Sequence, residues 1–121
     1  MTTMSCPFCN QAALTVVESG QSVFAIRDRA PVTALHTLII TRRHIDNIFD
    51  ATADELNEAH RLAAICCAAI RAEDSTVDGF NFGSNIGVAA GQTIYHAHLH
   101  LIPRRAGDMP PSPARPSEVK R

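Results

Sequence analysis

Hydrophobic and polar positions alternate most strictly near the end of the chain, over residues 96–102 (His-Ala-His-Leu-His-Leu-Ile). A period of two is typical of a β-strand with two different faces. The pattern predicts that Ala97, Leu99 and Leu101 pack into a core, and that three histidines line the other face: His96, His98 and His100. Pro103 has no amide hydrogen for a sheet ladder, so we expect it to end this strand.

Four further segments have strand-like patterns. Residues 14–18 and 22–26 are separated by a three-residue connection containing a glycine, the spacing of an antiparallel hairpin. Residues 37–40 (Thr-Leu-Ile-Ile) form a compact apolar run, and phenylalanines alternate with small or polar residues over 80–83, in a strand predicted to end near Asn85.

One long helix is predicted to follow Thr52, because Glu55 stands three residues further on and completes a capping box. Its apolar stripe is Leu56, Ala59, Ala63, Cys66 or Cys67, and Ile70, with Asp54, Glu58, Arg61 and Arg71 facing away. We expect the helix to end at residues 73–75, and a short helical turn at 45–49. The fold class is therefore α+β, with a five-stranded, mainly antiparallel sheet.

Composition narrows the classes of function. With 121 residues the chain fits one domain, which we place at residues 1–106, and a tail at 107–121 that holds four of the seven prolines and is expected to be extended or disordered. A net charge of −1 argues against nucleic-acid binding. The chain shows no apolar run of about 18 residues and no secretory signal, so we expect a cytoplasmic protein without a membrane partner.

Histidines and cysteines are the candidate chemistry. Imidazole is a nucleophile, a proton carrier and a metal ligand near neutral pH, so three in a row on one strand face predict a site. Cys6 and Cys9 form a Cys-x-x-Cys pair that supplies half of a tetrahedral zinc shell. The adjacent Cys66 and Cys67 are expected to pack as small apolar residues.

Residues 91–104 (Gly-Gln-Thr-Ile-Tyr-His-Ala-His-Leu-His-Leu-Ile-Pro-Arg) resemble the signature of the histidine triad superfamily. Residues 34–44 (Ala-Leu-His-Thr-Leu-Ile-Ile-Thr-Arg-Arg-His) are similar to a second family segment, with Leu35 in place of the usual glycine and Thr41 in place of the usual proline. The resemblance covers about residues 6–105. It implies a five-stranded antiparallel sheet with a long helix, and a homodimer.

The resemblance also implies an activity, which is nucleotidyl transfer or hydrolysis at the α-phosphorus of a dinucleoside polyphosphate, a nucleoside phosphoramidate or a related adenylyl compound. His98 matches the nucleophile, and His36 and His100 match donors to phosphate oxygens. Residues matching substrate contacts are Asp28, Asn85, Gln92 and Thr93, with Ile26 and Phe24 as candidates for the base pocket and Arg104 and Arg105 as candidates near phosphates.

In many bacterial relatives the Cys-x-x-Cys pair binds a structural zinc together with two histidines. The matching set here is Cys6, Cys9, His44 and His96. The alternative is a reduced, metal-free pair, with His96 in the catalytic hydrogen-bond network. No catalytic cofactor is expected.

Two other functions remain open. A metal-dependent hydrolase or oxygenase also uses His-x-His on a strand, but such a site normally adds a carboxylate, and the sequence places none beside the triplet. A nucleotide-binding module that acts through partners would keep the same pocket without turnover.

Overall fold

The computed structural model describes residues 6–109. Its regular elements are β1 (Val16–Ser19), β2 (Val23–Arg27), β3 (Thr37–Thr41), α1 (Ala53–Glu73), β4 (Val77–Gly83) and β5 (His98–Arg105), with 3-10 turns at Gln11–Ala13, Ile48–Asp50 and Val88–Ala90. The strands form one antiparallel sheet in the order β1-β2-β3-β5-β4. The predicted fold class is confirmed. No helix within the described residues is long and apolar enough to cross a membrane.

The sheet has a different cover on each face. Val23, Ala25, Ile39 and Leu101 pack against α1, whose own buried residues include Ala59, Leu62, Ala63, Cys66 and Ile70. On the opposite face, Phe24, Ile26, Leu38 and Ile40 pack against Cys6 and Phe8 of the N-terminal turn. The two covers leave the end of this second face open, and the histidines lie there.

Helix α1 begins as the capping box predicts. The Thr52 hydroxyl accepts from Glu55 N at 3.1 Å, and the Glu55 carboxylate accepts from Thr52 N at 2.8 Å. The predicted apolar stripe is wrong at Leu56, which is 43% exposed, while Leu62 is buried. Cys66 is buried and Cys67 half-buried against the same core, as expected of small apolar residues.

The sequence predicted that Glu58 faces solvent, and this prediction is wrong. Its Oε1 accepts hydrogen bonds from Ser22 N, Ser22 Oγ and Val23 N at 2.5, 2.9 and 3.0 Å. These bonds lower the pKa of Glu58 to about 2, against the opposing effect of burial. The carboxylate therefore fastens the hairpin between β1 and β2 to the helix.

Strand β5 runs past Pro103 to Arg105, so the prediction that this proline ends the strand is wrong. Pro103 pairs with Phe80 of β4, while on its other side β3 begins only at Thr37, opposite Leu101, and does not extend to Pro103. The Pro103 carbonyl accepts from Thr33 Oγ1 on the β3 side. In an antiparallel strand the nitrogen of a residue points the same way as its carbonyl, so the missing amide hydrogen faces a place with no ladder partner.

Two backbone positions depart from the family pattern, and one of them has a structural cost. Leu35 has φ 71°, in the left-handed region where glycine is the usual residue and a branched side chain is strained. Its side chain is half-buried and packs against the α1 side of the core. The strained residue lies directly before His36 at the entry to β3.

Candidate active site

Strand β5 presents two of the histidines. His98 and His100 lie opposite Ile40 and Leu38 in the β3–β5 register, and therefore on the sheet face that α1 does not cover. His96 precedes β5 rather than belonging to it, contrary to the prediction, and its ring points away from the other two, into the N-terminal turn. The alternation of residues 96–102 is thus a strand only from His98 onward.

The hydrogen bond of His98 fixes which of its nitrogens is free. Its Nδ1 lies 2.6 Å from the carbonyl oxygen of His96, a bond in which only the imidazole donates. The proton is therefore on Nδ1, and Nε2 holds an unprotonated lone pair. The ring is 7% exposed and packs edge-on against Phe8, with centroids 5.3 Å apart. This bond leaves Nε2 as the ring nitrogen of His98 that is available to a substrate.

His36 and His100 form a directed pair. The Val32 amide donates to His36 Nδ1 at 3.0 Å, so the proton of neutral His36 resides on Nε2. That Nε2 lies 2.9 Å from His100 Nδ1, which must accept. The proton of His100 is then on its own Nε2. We call this sequence of bonds, from Val32 through His36 to His100, the donor relay, because it ends in an N–H available to an anion.

Burial keeps the relay neutral. It lowers the pKa of His36, with a further lowering from Arg104 and an opposing effect of Asp28. It also lowers the pKa of His100, helped by His98 and His36. Because burial lowers both pKa values from the ordinary imidazole value, the neutral rings predominate at neutral pH, and the tautomers of the neutral rings follow from the hydrogen bonds.

A carboxylate does lie beside the histidines, although the sequence showed none near the triplet. Asp28 Oδ2 is 3.5 Å from His36 Nε2, and these two residues with His100 have ligand atoms within 4.8 Å of one another. The distances suit a metal ion, but the tautomer does not. A metal at His36 Nε2 needs the ring proton on Nδ1, where the Val32 amide already donates. The cluster fits hydrogen bonding better than metal binding.

The second cluster consists of Cys6, Cys9, His44 and His96, and its hydrogen bonds, unlike those of the first cluster, suit metal binding. His96 Nε2 donates to the Thr41 carbonyl at 2.6 Å, so Nδ1 is unprotonated. That Nδ1 faces Cys6 Sγ at 3.3 Å and Cys9 Sγ at 3.6 Å, and His44 Nδ1 lies 3.1 Å from Cys9 Sγ. A donor to a backbone carbonyl behind the ligating nitrogen is the usual support of a metal-bound histidine. The four residues predicted from sequence are brought together and could hold a metal ion.

Two cavities adjoin the histidines. The first, about 410 Å³, has apolar walls from Phe8, Leu14, Ile26, Leu38 and Ile94 and has Asp28 at its edge. The second, about 370 Å³, lies beside His36 and His100 and includes Asn85. Ile26 and Asn85 therefore line cavities as expected, whereas Phe24 is fully buried in the core beneath the Arg42 guanidinium.

The predicted phosphate contacts of the glycine loop are less direct. The Gln92 side chain is buried and donates to the carbonyls of Asp46 and Ile94 while accepting from Gly87 N. It braces the loop, and Thr93 beside it is exposed. Their contacts with substrate stay predictions.

Sequence reasoning missed Phe8 as a part of the site. Its ring contacts both His96 and His98, with centroids 5.8 and 5.3 Å away, and it also lines the larger cavity. The one available signal was its position between Cys6 and Cys9, which ties it to the cluster that reaches His96.

A family model for the HIT domain matches residues 10–107 of the chain. A HIT family protein from Bacillus anthracis shares 36% identity and a TM-score of 0.80, over 88% of this chain and 78% of that one. A hypothetical histidine triad nucleotide-binding protein from Sulfolobus tokodaii shares 34% identity and a TM-score of 0.75, over 87% and 72%. A zinc-bound histidine triad family protein from Mycobacterium smegmatis shares 32% identity and a TM-score of 0.78, over 88% and 80%. The chain belongs to the HIT domain family, the histidine triad proteins.

Proposed function

We propose that this protein is a nucleotidyl hydrolase or transferase that acts on adenylyl compounds through a covalent nucleotidyl-histidine on His98. The observation that carries the proposal is the 2.6 Å bond from His98 Nδ1 to the His96 carbonyl, which directs the lone pair of Nε2 outward. A neutral nucleophile suits phosphorus, because the negative phosphate oxygens repel a carboxylate or thiolate. The similar protein from Sulfolobus tokodaii is named a hypothetical histidine triad nucleotide-binding protein, and that name supports the substrate class.

The reaction has two displacements. His98 Nε2 bonds to the α-phosphorus, and the bond from phosphorus to the leaving group breaks with the electron pair leaving on that group, which takes up a proton. Water then attacks the same phosphorus and loses a proton to solvent, the bond to Nε2 breaks with its electron pair returning to that nitrogen, and the nucleoside monophosphate is released. In both steps, negative charge grows on the phosphate oxygens, where the N–H at the end of the donor relay can stabilise it.

The larger cavity is suited to the nucleoside. Phe8, Ile26 and Leu38 offer apolar contact to a base, and Asp28 at the edge can accept from two ribose hydroxyls. One Asp28 oxygen already accepts from Ala30 N at 2.9 Å, which fixes the carboxylate in this orientation.

We further propose zinc as the metal of the Cys6, Cys9, His44 and His96 cluster, since two sulfurs and two imidazole nitrogens are a common structural zinc set. When bound, the metal supplies a rigid crosslink between the N-terminal turn and the segment that carries the His96 carbonyl. Its closed shell leaves no open position for substrate. The chemistry at phosphorus then belongs to His98 and the donor relay.

Intact-mass spectrometry after neutral quenching tests the proposal. The protein mixed with an adenosine phosphoramidate should gain one adenylyl group, and His98→Gly should not. His60→Ala is the matched control, because His60 is exposed on α1 and lies outside the candidate site. An adduct that persists in His98→Gly overturns the assignment of the nucleophile, and nucleotide binding without adduct or turnover favours a binding module.

A further inference from the structure

The histidine face of β5 continues beyond the triad with a cation. Side chains alternate along a strand, so Ile102 and Arg104 follow His98 and His100 on the same face, opposite Asn81 and Gly79 of β4. Burial is the main cause of the lowered pKa of His36, but the charge of Arg104 contributes, which places the histidines within its field. Arg104 is therefore well positioned to attract an anionic substrate group.

The positive charge of Arg104 is balanced locally instead. Its Nη1 lies 3.2 Å from Asp108 Oδ1, and its Nε donates to Asn81 Oδ1 at 2.7 Å. Asp108 is itself held in place because its second oxygen accepts from Arg105 N at 3.2 Å. Gly107, with φ 79°, turns the chain back after β5 and brings the carboxylate to the guanidinium.

The cavity beside His36 and His100 contains no lysine, arginine or carboxylate among the residues 6–109 that line it. Apart from the two histidines its walls are amide, hydroxyl, backbone or apolar groups: Val32, Asn81, Phe82, Gly83, Ser84, Asn85 and Ile102. Such walls can bind an uncharged group that has both apolar and hydrogen-bonding parts. They offer nothing to neutralise the several negative charges of a polyphosphate.

We propose that the Arg104–Asp108 pair determines leaving-group specificity, selecting nucleoside monophosphates joined to an uncharged amphipathic group over dinucleoside polyphosphates. The proposal rests on the proposed function, since it names the group displaced from the α-phosphorus. Asp108 acts by neutralising and holding Arg104. The pair is a specificity device rather than a part of the chemical step.

The test compares kcat/KM for diadenosine tetraphosphate and for an adenosine phosphoramidate with an uncharged alkylamine leaving group, as a ratio. The wild-type ratio should be well below one. Asp108→Asn leaves the Arg104 charge unbalanced and should raise the ratio about 2- to 5-fold, the effect of one partly screened charge. Adding Arg104→Gln to Asp108→Asn should cancel the gain, because the liberated charge is then gone.

The chain offers a matched control on the other face of β5. Arg105 Nη2 lies 2.9 Å from Asp74 Oδ2, and Asp74→Asn breaks that pair with the same loss of one carboxylate. This control should leave the ratio unchanged, and thermal melting checks that both variants are folded. A wild-type preference for the tetraphosphate, or equal ratios in Asp108→Asn and Asp74→Asn, overturns the proposal. If the adenylyl-His98 adduct forms in such a case, the proposed function still stands.

Discussion

The donor relay makes a quantitative prediction about His36. Replacing it with leucine removes the N–H that reaches His100 Nδ1 at 2.9 Å and leaves a half-buried acceptor without a partner. The cost of such an unmet group is about 1–3 kcal/mol. If the cost falls on the transition state, where the His100 N–H must face the phosphate, kcat falls roughly 5- to 150-fold at about 1.4 kcal/mol per factor of ten.

His36→Gln is the informative partner variant, because a glutamine amide can donate from nearly the position of the imidazole Nε2. Stopped-flow turnover of an adenosine phosphoramidate, measured for the two variants, should rank wild type above His36→Gln and His36→Leu last. The loss should be in kcat more than in KM. In wild type, protonation of the donor relay should reduce activity only at pH values below the ordinary imidazole range, since burial lowers the pKa of both rings and neutral imidazoles are required. Equal activity of the glutamine and leucine variants would refute the relay.

Three shorter predictions follow. Glu58→Gln should lower the free energy of unfolding by about 1–2 kcal/mol at pH 7. In denaturant titrations the wild-type free energy of unfolding should decline as the pH falls from 4.5 to 2, because a carboxylate with a lowered pKa stabilises the fold only while it is ionised, and the variant should lose this decline. Cys6→Ser should lose bound zinc in atomic-emission measurements, whereas Cys66→Ser should keep it, since Cys66 lies in the α1 core. The resemblance implies a homodimer, and if the edge strand β4 forms its interface, Phe82→Asp, at a side chain that is 45% exposed, should shift the protein toward monomer in sedimentation velocity.

The fold followed from sequence wherever local chemistry decides the structure. The capping box at Thr52 and Glu55 is such a case, because all of its partners lie within four residues. Prediction failed where the deciding partner is distant. Glu58 was read as a solvated helix residue because the amides it accepts from belong to the turn before β2 and to the first residue of β2. Pro103 was read as a strand end because the point where β3 begins is a property of the assembled sheet.

The candidate site, like the fold, could be predicted from the sequence only in part. The identities of the histidines and of the Cys-x-x-Cys cluster came from the motif, and the structure brings the four cluster residues together. The direction of the donor relay could not be predicted, since it depends on the backbone amide of Val32, which every non-proline residue possesses. The position of Asp28 beside His36 was equally hidden, because eight residues of chain separate them and only the turn between β2 and β3 closes the distance.

His96 takes part in two sites with two different parts of itself. Its imidazole faces the sulfurs, a contact that depends on the side chain, but its carbonyl orients His98, and every amino acid has a carbonyl. Histidine is therefore needed at this position for the contact with the cysteines and not for the orientation of His98. Under the proposed function, a variant of this chain that lacks Cys6 and Cys9 could therefore change residue 96 and keep the carbonyl bond that orients His98.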